Sequence, residues 1–174
     1  MVKVIEAIES RYIPSLDRHH PLTGKAQCSI NIIQGGKLVN IVPDHCRIEL
    51  DRRVVPGEDP DRVLPAVQKV LDELKAADPQ LQVEQELKIN VPPLSPCADE
   101  SLLVTVQNVL RRANLPTEPA GVPYGTDASA LCETGVPVLV LGPGNIAQAH
   151  TRDEWLDLDQ LQLGVQVYRD LMRA

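Results

Sequence analysis

The sequence predicts an α/β protein built in two successive blocks, and three patterns in its 174 residues support that class. Stretches in the first half alternate apolar and polar residues, as half-buried strands do. Segments with apolar residues at helical spacing lie between and beyond them. In the second half, Val138–Leu141 is a continuous apolar run bounded by Pro137 and Gly142. Such a run is typical of a strand buried on both faces of an α/β sheet.

Composition limits the classes of function. Apolar residues make up 43% of the chain, enough for a packed core, while aromatic residues make up 2% and Phe is absent. A net charge of −7 without a basic cluster argues against a nucleic-acid partner. No apolar stretch approaches the roughly 20 residues of a membrane span, so no membrane partner is expected. The cysteines are widely separated and predict reduced, buried thiols in a cytoplasmic protein: Cys28, Cys46, Cys97 and Cys132.

The first block opens on a helix without a capping residue before it. Its apolar residues fall on one helical face: Val4, Ile5, Ile8 and Tyr12. The chain is therefore expected to begin inside a helix. A polar loop follows at residues 15–25, in which His19 and His20 are expected to be solvated, with a metal-binding role as the less favoured alternative.

Two strands, a helix and a third strand are predicted next. The strands are Ala26–Gln34, Cys46–Val55 and Leu81–Ile89, and the helix begins after Asp59 and ends near Lys75. Helix, strand, strand, helix and strand over residues 1–90 match a ferredoxin-like β-α-β-β-α-β layout without its first strand. Such a sheet has an open edge or a place for a partner's strand.

The second block is predicted to be α/β and to span residues 91–174, after a proline-rich linker at 90–97. A helix is expected from Asp99 to about Ala113. A last helix begins after Asp157 or Asp159. The residues expected to face inward from that last helix are Leu161, Val165, Tyr168 and either Leu171 or Met172.

His150 is the first candidate for chemistry. It follows the glycine turn after Val138–Leu141, and ligands of open α/β sheets bind beyond the carboxyl ends of the strands. Glu154 is expected to lie near enough to orient the imidazole, as carboxylates do for metal-ligating histidines. The alternative is a loop histidine beside a capping box formed by Thr151 and Glu154. One histidine cannot build a zinc site, which needs three or four donors.

Further polar residues allow two interpretations each. Gly125 and Thr126 could bind an anionic group at a helix start or simply cap that helix. Asn40, among apolar residues, is a turn residue or a polar contact. Arg52 and Arg53 end a strand, so one should point to each face; such an arginine can fork onto a carboxylate or protect an exposed edge.

These residues together resemble a known family. The segment NIVPDHCRIELDRRVVPGED resembles the lid-domain signature of the acetylornithine deacetylase, succinyl-diaminopimelate desuccinylase and aminoacylase family of zinc metallopeptidases. The segments YGTDA, GPG and AHTRDEW resemble the end of that family's catalytic domain. The resemblance implies a ferredoxin-like lid at residues 1–90, which dimerises, and a C-terminal catalytic segment at 91–174.

The resemblance also implies roles for residues. His150 would be one ligand of a two-zinc site, with Glu154 behind it. Asn40 and Arg53 would reach the substrate, and Gly125 and Thr126 would bind its carboxylate.

The implied reaction is metal-assisted hydrolysis of an amide bond in N-acyl amino acids or small peptides. The family's other zinc ligands and its general base find no match, so no catalytic residue is assigned and this chain is expected to be incomplete and inactive alone. The alternatives are a non-catalytic dimerisation module or accessory subunit and, on fold analogy only, a small-molecule regulatory domain.

Overall fold

The computed structural model describes residues 1–95, 99–122 and 124–174. The chain forms two compact units. Unit 1 contains Met1–Ser95 and Gly121–Gly125, and unit 2 contains Pro96–Ala120 and Thr126–Ala174. Both helices and strands are present, in agreement with the predicted α/β class. Within the described ranges, no helix combines the length and the apolarity that crossing a membrane requires.

Unit 1 opens with a helical segment of three successive geometries. The α-helix α1 (Val2–Ala7) continues into a π-helical turn (Ile8–Tyr12) and a 3₁₀ turn (Ile13–Ser15). Of the predicted inward residues, Val4, Ile8 and Tyr12 are buried, and Ile5 is partly buried. The sequence pattern therefore identified the covered face of this segment.

Two small antiparallel sheets follow. β1 (His19–His20) pairs with β2 (Gly24–Lys25) around a tight turn. β3 (Gln27–Gly35) pairs with β4 (Cys46–Arg53), with an irregularity between Ile30 and Ile32. In the first turn, the backbone N–H groups of Leu22 and Thr23 donate to His20 Nδ1 at 3.3 and 3.4 Å.

The core of unit 1 lies between the helical segment, the sheet β3–β4 and helix α2 (Val63–Ala77). A 3₁₀ turn (Pro60–Arg62) precedes α2, and Asp59 Oδ1 accepts the backbone N–H of Asp61 at 3.0 Å, as the capping prediction requires. The buried apolar residues of this core are Val4, Ala7, Ile8, Tyr12, Leu16, Ala26, Val55, Val67, Val70 and Leu71.

The third predicted strand, Leu81–Ile89, is not a strand in the structure. Side-chain contacts, and not the backbone hydrogen bonds of a sheet, attach this segment to the rest of unit 1. Gln85 Nε2 donates to the Leu64 carbonyl at 3.0 Å, and Lys88 Nζ lies 2.7 Å from Glu49 Oε1. Alternating apolar residues indicate an extended segment with one apolar face. They do not show whether another strand lies beside the segment to form backbone hydrogen bonds with it.

Unit 2 is helical in its described parts, with α3 (Ser101–Arg112), α4 (Ala128–Glu133), a 3₁₀ turn (Ile146–Gln148) and α5 (Leu158–Leu171). Asp157 caps α5 by accepting the backbone N–H groups of Asp159 and Gln160. α3 packs against α5, and the apolar residues buried in this unit are Val106, Val109 and Val167.

Two predictions for unit 2 are wrong. The residues Val138–Leu141 form no strand and pair with no strand in the described chain, and Leu139 and Val140 are exposed. The inward face of α5 consists of Leu163, Val167 and Leu171, whereas most of the residues predicted to face inward are exposed: Leu161 44%, Val165 60%, Tyr168 44% and Met172 81%. α5 carries two apolar stripes, and periodicity alone does not reveal which of them a neighbour covers.

Three of the four cysteines lie in the described residues and are only partly buried, where the sequence predicted buried thiols: Cys28, Cys46 and Cys132. Cys28 and Cys46 are free thiols. Cys97 lies outside the described residues.

Candidate functional site

His150 lies on an exposed loop after the 3₁₀ turn Ile146–Gln148. Its φ is 59°, in the left-handed region that residues other than glycine seldom adopt. The Glu154 carboxylate accepts the backbone N–H of His150 at 3.1 Å. Glu154 therefore fixes the loop backbone at His150, and its predicted action on the imidazole ring remains a prediction.

The described residues do not fit a complete zinc site. In residues 1–95, 99–122 and 124–174, no group of three or more His, Cys, Asp or Glu side chains is placed to hold a metal ion. Zinc requires three or four donors. His150 therefore supplies one donor at most.

Thr126 lies two residues before the first residue of helix α4. Its Oγ1 accepts the backbone N–H of Ala128 at 3.2 Å, and its carbonyl accepts the hydroxyl of the buried Ser129 at 3.0 Å. These contacts are those of a residue that caps the start of a helix, which is the second of the two interpretations that the sequence allowed. At Gly125, a Cβ atom would meet nothing within 4 Å, so close packing does not require glycine there.

Asn40 lies in the loop that joins β3 to β4, and its side chain is exposed. The apolar residues around it are all at least half exposed: Leu38, Val39, Ile41 and Val42. We call these four residues and Asn40 the hairpin tip. The hairpin tip therefore presents a cluster of exposed apolar side chains.

A cleft of about 330 Å³ opens at the base of this loop and was not anticipated from the sequence. Its charged side chains are separated in sequence by the hairpin tip, and pairing of β3 with β4 brings them together. Lys37 Nζ lies 4.0 Å from Asp44 Oδ2, and Arg47 Nη2 donates to Gln34 Oε1 at 2.8 Å. His45 completes the lining.

Arg52 and Arg53 lie on opposite faces of β4, as the alternation of a strand predicts. Arg53 is half exposed, and its Nη2 lies 2.8 Å from Asp51 Oδ2. Arg52 instead points inward, where its Nη2 lies 2.6 Å from Glu58 Oε1. Arg53 is therefore the arginine that remains accessible to a ligand.

The inward arginine joins a buried network that the sequence did not identify. The side chains of Arg52 and Glu58 are only 10% and 13% exposed. Arg52 Nε donates to Tyr12 Oη at 3.3 Å, and Arg52 Nη1 contacts the Arg53 carbonyl. Glu58 Oε2 also accepts the backbone N–H of Val55 at 2.9 Å. The network ties the end of β4 to the first helical segment and to the turn before α2.

The pKa values of Tyr12, Cys28 and Arg52, which lie in or beside this network, are shifted by burial and by hydrogen bonds. It raises the pKa of Tyr12, although the Arg52 guanidinium acts in the opposite direction. Burial also raises the pKa of the Cys28 thiol, which favours its protonated and less nucleophilic form. For Arg52, burial acts to lower the pKa, but hydrogen bonds to Glu58 and Tyr12 outweigh it, so the pKa is raised. Arg52 is a permanent buried cation.

The sequence signature of peptidase family M20/M25/M40 matches residues 5–174. Among curated proteins, the acetylornithine deacetylase of Vibrio atlanticus is 30% identical over 157 residues, which are 89% of this chain and 40% of that protein. The acetylornithine deacetylase of Myxococcus xanthus is 28% identical over 133 residues, which are 76% of this chain and 34% of that protein.

A probable succinyl-diaminopimelate desuccinylase of Staphylococcus aureus is 27% identical over 150 residues, 83% of this chain and 35% of that protein. The crystal structure of a tripeptidase from the same species superimposes with a TM-score of 0.60 at 22% identity and covers 95% of this chain and 44% of that one. The chain therefore spans little more than a third of the length of these curated relatives.

Proposed function

Because the chain belongs to peptidase family M20/M25/M40, we propose that it takes part in metal-dependent hydrolysis of amide bonds in N-acyl amino acids or small peptides. The observation that carries this proposal is the family match over residues 5–174. The relatives named as deacetylases and a desuccinylase, and the tripeptidase of similar fold, support the same reaction class.

We assign substrate contacts to residues that the fold leaves accessible. Arg53 forms only a partly exposed pair with Asp51, and such pairs contribute little to stability. Its guanidinium can therefore exchange that partner for a substrate carboxylate, which it would bind in a forked geometry. Asn40, at the exposed hairpin tip, supplies an amide. Gly125 and Thr126 are proposed, independently of Arg53, to help bind a carboxylate of the substrate.

His150 is the proposed zinc ligand, with Glu154 supporting its loop. When bound, zinc would polarise the scissile carbonyl and activate a water molecule. Since the described residues provide one donor, no catalytic step is assigned to them. We propose that the chain alone does not catalyse hydrolysis.

The first test combines turnover with substrate binding. The purified chain is assayed with N-acetyl and N-succinyl amino acids and with tripeptides, in the presence of zinc or cobalt. We expect no turnover from the chain or from its His150→Ala variant. Turnover that disappears in His150→Ala would contradict the proposed inactivity and would mean that the chain forms a working site.

Substrate binding is followed separately by NMR titration with an N-acetyl amino acid. Arg53→Gln should weaken binding by about tenfold, the cost of losing one charge-assisted contact. The control is Arg11→Gln, because Arg11 also forms an exposed pair, with Glu73 at 3.3 Å, but has no proposed role. Equal affinities of the two variants would overturn the role of Arg53.

A dimerisation module or accessory subunit is the second candidate function, and the hairpin tip favours it. Its four exposed apolar side chains and the open edges of the sheet β3–β4 form a surface suited to a second copy. Val39→Glu should weaken self-association in sedimentation velocity, whereas Leu22→Glu, at an exposed apolar site on another loop, should not. A wild-type chain that stays monomeric at every concentration would exclude the dimerisation module.

A further inference from the structure

Residues 81–91 are oriented like a strand of the unit 1 sheet without being hydrogen-bonded to it. From Leu81 to Glu86, the side chains alternate strictly between partly buried and exposed, as those of a strand with two different faces do. Val83 packs against the core, and Gln85 Nε2 donates to a glutamine of α2 at 2.8 Å, so the inner face of this segment is turned toward α2. We call residues 81–91 the edge segment.

The edge segment lies toward the free edge of β4. β4 is paired with β3 along one edge, and these two strands form a sheet of their own. Lys88 Nζ of the edge segment lies 2.7 Å from Glu49 Oε1 of β4. Within residues 1–95, 99–122 and 124–174, no backbone hydrogen bond joins β4 to the edge segment, and residues 82–91 have no backbone partner. Two lines of unpaired N–H and C=O groups therefore lie near each other, bridged by side chains.

We propose that one strand of a separate polypeptide inserts between β4 and the edge segment and pairs with both. An extended peptide commonly binds a protein by adding to an exposed sheet edge through its backbone. The backbone groups of successive strand residues point to opposite edges, so a single strand can bond to two walls at once. A helix cannot do this, because its backbone groups are bonded within the helix.

The charges on the outer face favour a basic strand. Glu84 and Glu86 of the edge segment are exposed, and neither forms an ion pair in the part of the chain that the structure describes. The charged residues on the same face of β4 are already paired with one another: Arg47 with Glu49, and Asp51 with Arg53. Lysine or arginine at every second position of the inserted strand would lie beside the two free glutamates.

The inner face requires apolar residues at the positions between those cations. Leu50 of β4 and Leu87 of the edge segment are 37% and 51% exposed. Leu50 lies on the same face of β4 as Ile48, which packs against the core. Apolar side chains of an inserted strand would extend that core and cover Leu50. The partner that we infer is thus an extended segment in which apolar and basic residues alternate.

This inference develops the accessory-subunit alternative and is independent of both hydrolysis and self-association. Insertion uses the free edge of β4, whereas the hairpin tip and the free edge of β3 remain available to a second copy. Peptide binding by Val39→Glu should equal that of the wild type. Loss of hydrolysis or of dimerisation would therefore not count against insertion.

The first test is binding of a labelled peptide, acetyl-KVKVKVKV-amide, by fluorescence anisotropy. Its eight residues match the length of β4. We expect saturable binding of one peptide per chain. The control peptide KKVVKKVV has the same composition, but its lysines fall on both faces of a strand, so it should bind at least about tenfold more weakly. Absence of saturable binding, or equal binding of the two peptides, would overturn the proposal.

N-methylation distinguishes two-sided insertion from pairing with one wall. Methylation of every lysine nitrogen removes the N–H groups directed at one edge of the peptide, and methylation of every valine nitrogen removes those at the other edge. Each series should weaken binding by about tenfold or more, because each edge pairs with one wall. Tolerance of either series would mean that the peptide pairs with a single wall or binds through its charges alone, and insertion would be wrong.

Variants of the chain test the choice of a basic partner. Combining Glu84→Gln with Glu86→Gln should weaken binding of KVKVKVKV by about fivefold, through loss of two cross-strand charge pairs. The matched control combines Glu6→Gln with Glu9→Gln, two exposed glutamates of the first helical segment that form no ion pair in the described chain. Equal affinities of the two double variants would overturn the preference for a basic strand.

Hydrogen exchange locates the bound peptide. With saturating KVKVKVKV, amides of β4 and amides of residues 82–91 should both exchange about tenfold or more slowly than in the free chain, since both gain hydrogen-bonding partners. Protection of one wall without the other would contradict insertion between them.

Discussion

Two adjacent arginines on β4 have different environments, one exposed and one buried, because successive residues of a strand point to opposite faces. Arg53 keeps an accessible guanidinium beside Asp51, whereas Arg52 lies inside unit 1 with Glu58 and Tyr12. A cation taken out of water is costly unless a charged partner and hydrogen bonds compensate it. Glu58 supplies the charge, and Tyr12 and the Arg53 carbonyl supply further acceptors. Arg52 also contacts the backbone of Arg53, whereas the Arg53 guanidinium itself is paired with Asp51.

Glu58→Ala should lower the free energy of unfolding by about 3–5 kcal/mol, because it leaves the Arg52 charge buried without its counterion. Urea denaturation measures the difference. The matched control is Glu73→Ala, which removes the acidic partner of Arg11 from a half-exposed pair and should change stability by no more than about 0.5 kcal/mol. Similar losses for the two variants would mean that breaking the buried Arg52–Glu58 pair costs no more stability than breaking the exposed Arg11–Glu73 pair.

At this scale, the sequence predicted that the arginines would divide between the two faces and that one could meet a carboxylate. It did not identify Glu58, because the partner is reached across the turn at Pro56 and Gly57, whose geometry is set by the fold. The left-handed backbone of His150 was also beyond prediction. Glycine and asparagine signal that conformation in a sequence, and histidine does so only weakly.

Helix ends were more predictable than helix faces. Asp59, Asp99 and Asp157 each accept a backbone N–H in the first turn that follows, as capping residues do. A cap is a local interaction between residues two or three positions apart, so the sequence contains it directly. The covered face of α5 depends instead on where α3 lies, which is information from about fifty residues away.

The inward face of α5, formed by Leu163, Val167 and Leu171, can be tested by truncation. Val167→Ala should destabilise unit 2 by roughly 1.5–3 kcal/mol, through lost burial and the cavity left beside α3. Val165→Ala makes the same chemical change at a residue of α5 that is 60% exposed and should cost less than about 0.5 kcal/mol. Thermal unfolding of both variants measures this contrast. A larger loss at Val165 than at Val167 would mean that the side of α5 that carries Val165 is the covered one.

Strands were predicted correctly where a partner lies nearby in sequence. β3 and β4 are joined by a loop of ten residues; β4 falls within its predicted strand, and β3 extends one residue beyond its predicted end at Gln34. Leu81–Ile89 and Val138–Leu141 have strand-like composition without a ladder in the described chain. A strand is completed by its neighbour, and that neighbour is the part of the structure that a local pattern does not contain.

For the whole molecule, the α/β class and the family were recognisable because they depend on element order and on motifs. The division into residues 1–90 and 91–174 remains a prediction. Gly121–Gly125 belongs by its contacts to unit 1 although its neighbours in sequence lie in unit 2. No local pattern in those five residues indicates this return. The proposed zinc site is equally difficult to predict from a local pattern, because its three or four donors must come from positions that are distant in sequence.

The Arg52–Glu58 pair also restricts how this sequence can diverge. A mutation of either residue alone passes through a protein with an unmatched interior charge, whereas simultaneous replacement by apolar side chains of similar volume can be neutral or stabilising. The two positions should therefore change together in evolution or remain as they are. Arg53, one residue away and facing outward, carries no such constraint from the interior and is free to vary with whatever the surface must bind.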